Sequence, residues 1–522
     1  MLRILFWLCL PFSLLAQQPV DLLIKNARVV DGTGSPYFYA DIAIRGDSIV
    51  ALGHNLNTPA SETLDAAGLT VTPGFLDVHN HSYPDILTEP TARVFLLQGV
   101  TTLIGGPDGS SPLPLRAAFD KLSKTPISVN MALLAGHGTI RQNVLGMENR
   151  PPTPAELDRM RELARQAMRD GAIGLSTGLF YTPANFAATE EVIALGKVVG
   201  ELGGFHVSHI RDESHKIIDA VKETIRIGEE GGLPTQITHH KVGGKAHIGR
   251  SKDTLRLMEE ARARGVDATI DQYPYTASST GLGAALIPQY AFAGGQAALR
   301  ERLTATEQRA KIKAEIVRRI EEERGGGDPN NIVLTNCSFD RSLEGKSLAA
   351  IVKERGQPPT VANAAELTME VQAKGGCSAV FHWISEDDIQ RILKWPYTMV
   401  ASDGGITLRH PRSAGTFVRI LERYVRNLKV ITLEDAVRKM SGLPAQRLRL
   451  YDRGLIRPGM KADLVILNPD TVSEKATYVQ PMLPATGIRD VLVNGKFAVR
   501  NGAVTAERPG RPLYGAAKLN MH

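Results

Sequence analysis

The stretch Val71-Thr-Pro-Gly-Phe-Leu-Asp-Val-His-Asn-His-Ser82 places His79 and His81 two residues apart at the end of an apolar run that reads as a buried strand. A period of two turns both imidazoles to one face, where two neutral rings can ligate one borderline metal ion. Surface or hydrogen-bonded core histidines show the same spacing, so other ligands have to come from elsewhere in the chain.

Three later stretches supply them. In Phe205-His-Val-Ser-His209 the alternation groups His209 with Phe205 and Val207 and turns His206 the other way. In Gln236-Ile-Thr-His-His-Lys241 it groups Ile237, His239 and Lys241 on the inward face, with His240 outward. In Tyr397-Thr-Met-Val-Ala-Ser-Asp403 it aligns Met399, Ala401 and Asp403. Imidazoles and a carboxylate buried in an apolar interior are costly unless paired or metal-bound. The chain has three cysteines and no CxxC pair, so a metal here is held by histidine and carboxylate. Such donors suit Zn²⁺, with Mn²⁺, Co²⁺ or Fe²⁺ as competitors, and one or two ions fit the set.

These residues need a scaffold that brings distant strand ends together. Between residues 71 and 454, strand-like runs (101–105, 128–134, 173–176, 205–209, 236–240, 267–273) alternate with helical ones (156–169, 190–202, 215–230, 254–264). Repeated βα units predict an α/β fold with a parallel sheet or a (β/α)₈ barrel, whose chemistry sits at the strand C-termini. Residues 285–380 break the rhythm; helical pieces such as 307–323 followed by Gly325-Gly-Gly-Asp328 suggest an insertion that covers the site as a lid. The two ends of the chain, 19–70 and 455–510, carry short alternating strands and turn signals, including Asn494-Gly495, and are expected to build one small β-sandwich domain together.

The 522 residues carry a formal charge of +6 from scattered lysines and arginines rather than a basic run, which argues against a nucleic-acid partner. Met-Leu-Arg followed by the apolar run Ile4–Ala16 matches a secretory signal peptide at 1–16. The run is shorter than the roughly 20 residues of a membrane span. Export would remove Cys9 and leave Cys337 and Cys377, whose pairing the sequence leaves open. Oligomeric state is not encoded in any pattern.

The set of motifs resembles the amidohydrolase superfamily, and within it the D-aminoacylases (N-acyl-D-amino-acid deacylases). The likeness rests on the His-x-His strand, the later histidines, the late aspartate and Gly459-Met-Lys-Ala-Asp-Leu-Val465. The narrower match rests on Gly136-His-Gly-Thr139 with Arg141, Gly174-Leu-Ser-Thr-Gly-Leu-Phe-Tyr181, Ser208-His-Ile-Arg-Asp-Glu213, Thr238-His-His-Lys241, Asp271-Gln-Tyr-Pro-Tyr275, Ser402-Asp-Gly404 and His410-Pro-Arg412 with Gly415-Thr-Phe417. The resemblance implies a (β/α)₈ barrel with a β-sandwich from both termini, metal ligands His79, His81, His209 and His239, and Asp403 as general acid/base. Lys241 and Tyr181 match positions around the scissile amide and substrate carboxylate; Tyr273, Ser279 and Arg412 match further substrate-binding positions.

One departure stands out. Where the family has a metal-binding cysteine after the second strand, this chain reads Gly105-Gly-Pro-Asp-Gly109, with Asp108 at that place. A carboxylate can ligate or bridge, and is harder than thiolate; Asp108 is expected as the bridging metal ligand, against the alternative of a turn-forming Pro-Asp-Gly loop. The fourth strand, Ile173-Gly-Leu-Ser176, offers neither lysine nor glutamate as a bridge.

The expected activity is metal-assisted hydrolysis of an N-acyl-D-amino acid or related peptide, with Asp403 moving the proton. Tyr181 or His137 would donate to the developing oxyanion, and Lys241 with Arg412 would hold the free carboxylate. The alternatives are a dipeptidase or cyclic-amide hydrolase of the same superfamily, or a noncatalytic binding barrel.

Overall fold

Strands buried on both faces, each followed by an amphipathic helix, have to close on themselves or be covered on both sides. In the computed structural model, which describes residues 18–519, they close. The expected leader at 1–16, with Cys9, lies outside the described residues. The barrel strands are Phe75–Asp77, Val100–Gly105, Asn130–Leu133 continued by Ala135–Gly136, Leu175–Gly178, His206–His209, Thr235–Ile237, Ala268–Gln272 and Thr398–Val400. Neighbouring strands pair in parallel around the ring. The first and last meet just past their ends, where Asp403 N donates to His79 O (3.0 Å) and His81 N to Gly404 O (2.7 Å).

Leu76, Val78, Ile104, Ala132, Phe205, Val207, Met399 and Ala401 form a single buried cluster drawn from five strands, which is the barrel interior. Ile237 and Ile270 belong to a different cluster, with Val221, Ile225, Leu255 and Met258 of the outer helices. Ile237 therefore points outward, and the expected shared inward face of Ile237, His239 and Lys241 does not exist. The strand ends at Ile237, and His239 reaches the centre because its backbone turns left-handed, with φ +36°.

The run 71–82 is likewise not one strand. Thr70–Pro73 pairs with Leu464–Leu467, whereas Phe75–Asp77 enters the barrel. Leu76 and Val78 already fill the interior, so strict alternation would turn His79 toward the helices; the chain instead bends at Val78 and His79 beyond the strand end.

Val20–Val29, Phe38–Arg45, Ser48–Gly53, Ala60–Asp65 and Thr70–Pro73 share one nine-stranded network with Leu464–Leu467, Ile488–Val493, Lys496–Arg500 and Ala503–Val504. Asn494 and Gly495, both at positive φ, make the expected hairpin turn.

Between the seventh and eighth barrel strands the chain makes a long excursion. It contains a three-stranded antiparallel sheet of Ala277–Gly281, Ile332–Leu334 and Ser378–His382, with helices Gly295–Thr304, Thr306–Arg319, Leu348–Glu354 and Val361–Ala373. Cys337 and Cys377 are disulfide-bonded within it. No helix of the described residues is long and apolar enough to cross a membrane.

Two details of the scaffold set the position of site residues. A Cβ on Gly178, at the end of the fourth strand, would lie 2.1 Å from the Asp108 carbonyl oxygen, so the loop carrying Asp108 rests on this glycine. Lys439, fully buried on helix Leu433–Met440, donates to Trp395 O (2.6 Å) just before the eighth strand. Burial lowers its ammonium pKa to about 8.

Gly178→Ala is expected to push the Asp108 loop aside, costing about 1–3 kcal/mol in overpacking and reducing bound metal, read by thermal melting and elemental analysis. Lys439 predicts a pH effect. Between about pH 8 and the ordinary lysine value of 10.5 the unfolded chain holds a proton that the folded chain has released, so stability gains with rising pH across this window. That gain should vanish from denaturant curves of Lys439→Met; an identical slope in both proteins would refute it.

Candidate metal centre

The donor side chains sit two to four residues beyond the regular strands, except His209, which ends its own strand. There two donor groups share one residue: His79, His81, Asp108 and Asp403 form the first, and Asp108, His209 and His239 the second. In the first, His79 Nε2 is 3.2 Å from His81 Nε2, which is 3.1 Å from Asp403 Oδ1. Asp108 Oδ2 lies 3.6 Å from both of those imidazole nitrogens. In the second, His239 Nε2 is 2.8 Å from His209 Nδ1, and Asp108 Oδ1 is 3.4 and 3.6 Å from them. The two oxygens of Asp108 thus face different imidazole pairs.

The donors fit a divalent ion on two grounds. Asp108 Oδ1, which faces His209 Nδ1 and His239 Nε2, is buried without any hydrogen-bond partner, which is costly unless another group engages it. Four imidazoles with two carboxylates also form an N/O set suited to zinc or its first-row neighbours. Burial pushes the Asp108 carboxyl up in pKa, but His79, His209 and His239 outweigh it and hold it well below the usual range. Asp403 is likewise held low, against its burial, by Arg412 and the imidazoles. His239 drops to about 3 through burial and the nearby Lys241, so its ring is neutral at pH 7.

Outer residues fix these positions. Asp271 Oδ1 accepts from His239 N (2.7 Å), holding the left-handed turn. Asp77 accepts from Ser402 N and Asn80 Nδ2, each at 2.8 Å, which ties the Asp403 loop to the His79 loop. Thr238 Oγ1 contacts His79 Nδ1.

A cavity of about 500 Å³ opens over the donors. Arg412 lines it, 1 % exposed, with Nη1 2.8 Å from Asp403 Oδ2 and Nη2 donating to Ser279 O (3.2 Å). Its Nε and Nη1 lack well-directed acceptors. The Tyr273 ring stands between two cations, 4.8 Å from the Arg412 guanidinium and 5.6 Å from Lys241 Nζ, and its hydroxyl is unpartnered. Tyr181 reaches the cavity with its hydroxyl 3.0 Å from Thr280 Oγ1; burial raises its pKa well above 10, so it stays protonated. Ser279 is also in the wall.

Two expectations change. His137 is fully buried with Nε2 2.9 Å from Glu191 Oε1, which also pairs with Arg141 through its other oxygen, and it is outside the cavity wall. It cannot reach an oxyanion over the donors, and its glycine-flanked motif contributes Gly138 and Thr139 to the wall instead. Lys241 does line the cavity, but its Nζ is ion-paired with Glu213 and donates to His239 O (2.8 Å). Sequence reasoning passed over Glu213, although it lies in the quoted Ser208–Glu213 motif, and Arg324, for which no local signal existed.

The geometry agrees with comparisons to known proteins. The amidohydrolase family model matches residues 62–499. A D-aminoacylase of Alcaligenes xylosoxydans xylosoxydans is 36 % identical over 521 residues, covering 95 % of this chain and 98 % of its own length. A D-aminoacylase structure from work on its binuclear metal center superposes with a TM-score of 0.81 at 35 % identity, covering 95 % of this chain and all of the other. The N-acyl-D-glutamate deacylase of Bordetella bronchiseptica, in complex with zinc and a phosphonate inhibitor, gives 0.81 at 32 % identity with the same coverage. With the barrel, the shared small sheet and the two donor groups in place, the chain belongs to the amidohydrolase family.

Proposed function

We propose that this chain is a hydrolase of the linear amide bond of N-acyl-D-amino acids, working with one or two divalent ions held by His79, His81, Asp108, His209, His239 and Asp403. The observation that carries the reading is the buried, incompletely satisfied Arg412 beside Asp403, directly over the donor groups. A free carboxylate delivered to that guanidinium places the adjoining amide against Asp403 and the metal ligands. The D configuration is supported by the activities named for the relatives.

A divalent ion held by these donors would supply Lewis acidity toward the amide carbonyl and the attacking water. The side chains do the rest. Arg412 receives the carboxylate in a forked pair, with the Tyr273 hydroxyl as a further donor and Lys241 as a nearby positive charge. Asp403, kept ionised by its surroundings, accepts the proton of the attacking water and returns it to the leaving amine nitrogen. Tyr181, protonated, donates to the oxygen that gains charge. Asp108 belongs to both donor groups, so each group would hold an ion, and the harder oxygen donor would widen the choice among Zn²⁺, Mn²⁺, Co²⁺ and Fe²⁺. The substrate is a small molecule; no basic surface run points to nucleic acid.

The expected leader and the Cys337–Cys377 bond both fit export to an oxidising compartment. Mature protein from the producing cell should begin close to Gln17, and recovery of an intact leader in the cytosol would overturn this placement.

Metal-loaded protein is expected to release free amine from N-acyl-D-amino acids and not from the L-enantiomers; a panel with no turnover sinks the reading. Asp403→Asn should lower kcat by roughly 10²–10⁴ in protein that still folds. Arg412→Lys should lower kcat/KM by about 10–100-fold through loss of the forked pair, while substrates whose carboxylate is capped as an amide should be poor for the parent and little changed by the substitution.

A further inference from the structure

Glu213 takes no part in the reaction proposed above, yet its buried carboxylate connects the cavity to the inserted segment. It lies between the fifth strand and helix Ile217–Gly231, 3 % exposed. Oε1 contacts Lys241 Nζ and lies 3.5 Å from His239 Nδ1 and 3.7 Å from His209 Nε2. Oε2 lies 3.4 Å from both Nη1 and Nη2 of Arg324. Arg324, 4 % exposed, ends the π-helical turn Ile320–Arg324 and packs 3.9 Å from the Trp383 ring and 5.0 Å from that of Phe180.

The nitrogens of the second donor group that face Asp108 are His209 Nδ1 and His239 Nε2. A neutral imidazole that ligates through one nitrogen carries its proton on the other, and that proton needs an acceptor. The two remaining nitrogens, His209 Nε2 and His239 Nδ1, are those that face Glu213 Oε1. His209 Nε2 has no other partner. Lys241 Nζ lies 2.8 Å from His239 Nδ1 in this structure; once that nitrogen carries the proton it can only donate, so the ammonium has to turn to Glu213 and the His239 carbonyl, and Glu213 Oε1 is the acceptor left for Nδ1–H.

We infer that Glu213 is a positioning residue that orients both imidazoles of the second donor group through one oxygen, and that Arg324 makes this placement depend on the inserted segment. The inference rests on the metal reading above. Its effect is selective: His79 Nδ1 of the first group meets Thr238, whereas the charged and imidazole groups beside Glu213 are Lys241, Arg324, His209 and His239. Outer-sphere partners of this kind change metal affinity by about 10–100-fold.

The test is a Zn²⁺ titration against a chromogenic chelator, with elemental analysis of bound metal and the visible spectrum of Co²⁺-loaded protein. Glu213→Gln keeps the shape and removes the charge. One ion should weaken by about 10–100-fold, with an altered Co²⁺ spectrum, while the other holds its parental affinity. Arg324→Met leaves the carboxylate but frees it from the segment, and should weaken the same ion to a smaller degree. It also supplies the readout if Glu213→Gln does not fold. Parental affinity for both ions in a folded variant, or equal weakening of both, would overturn the inference. A parent protein that binds no metal would instead defeat the underlying reading, and is recognised before any variant is made.

Discussion

Two carboxylates, Asp108 and Asp403, are kept ionised inside the mouth of an apolar barrel, and the rest of the structure follows from that constraint. Burial alone would protonate them, and isolated buried carboxylates are strongly unfavourable. The imidazoles of His79, His209 and His239 and the Arg412 guanidinium surround them closely enough to reverse the balance. The barrel makes this possible because its first, second, fifth, sixth and eighth strands all end at one rim.

Convergence requires backbone conformations that side chains disfavour. Asp108, His239 and Asp403 all lie at positive φ, each at a cost on the order of 1–3 kcal/mol. Each conformation has a specific support. Asp271 accepts the His239 amide, the His79 carbonyl accepts the Asp403 amide, and the absent side chain of Gly178 makes room for the Asp108 loop. Strain at three of the six proposed ligands marks the rim as the part of the fold shaped by chemistry rather than by packing.

The sequence made the architecture and the ligand types legible, and its limits are equally physical. Alternation correctly turned Val207 and His209, and Met399 and Ala401, to the interior, because those strands stay regular close to the site. It failed for Ile237 and His239 and for the 71–82 run, because those strands stop short and the chain bends before the histidines. His137 resembled a site residue by its glycine-flanked motif, but its partner Glu191 is 54 residues away and buries it. Glu213 and Arg324 come together across 111 residues, a pairing no local pattern records.

The small sheet has a consequence for how the chain acquires its fold. Thr70–Pro73, which leads directly into the first barrel strand, is flanked by Leu464–Leu467 on one side and Val20–Val29 on the other. One of those neighbours precedes it in the chain and the other follows nearly 400 residues later. The sheet therefore cannot be completed while the ribosome is still adding the barrel, and its pairings are among the most distant in sequence that the molecule contains. Such contacts form slowly. A nascent chain of this design leaves the small sheet unfinished until Leu464–Leu467 emerges, after all eight barrel strands.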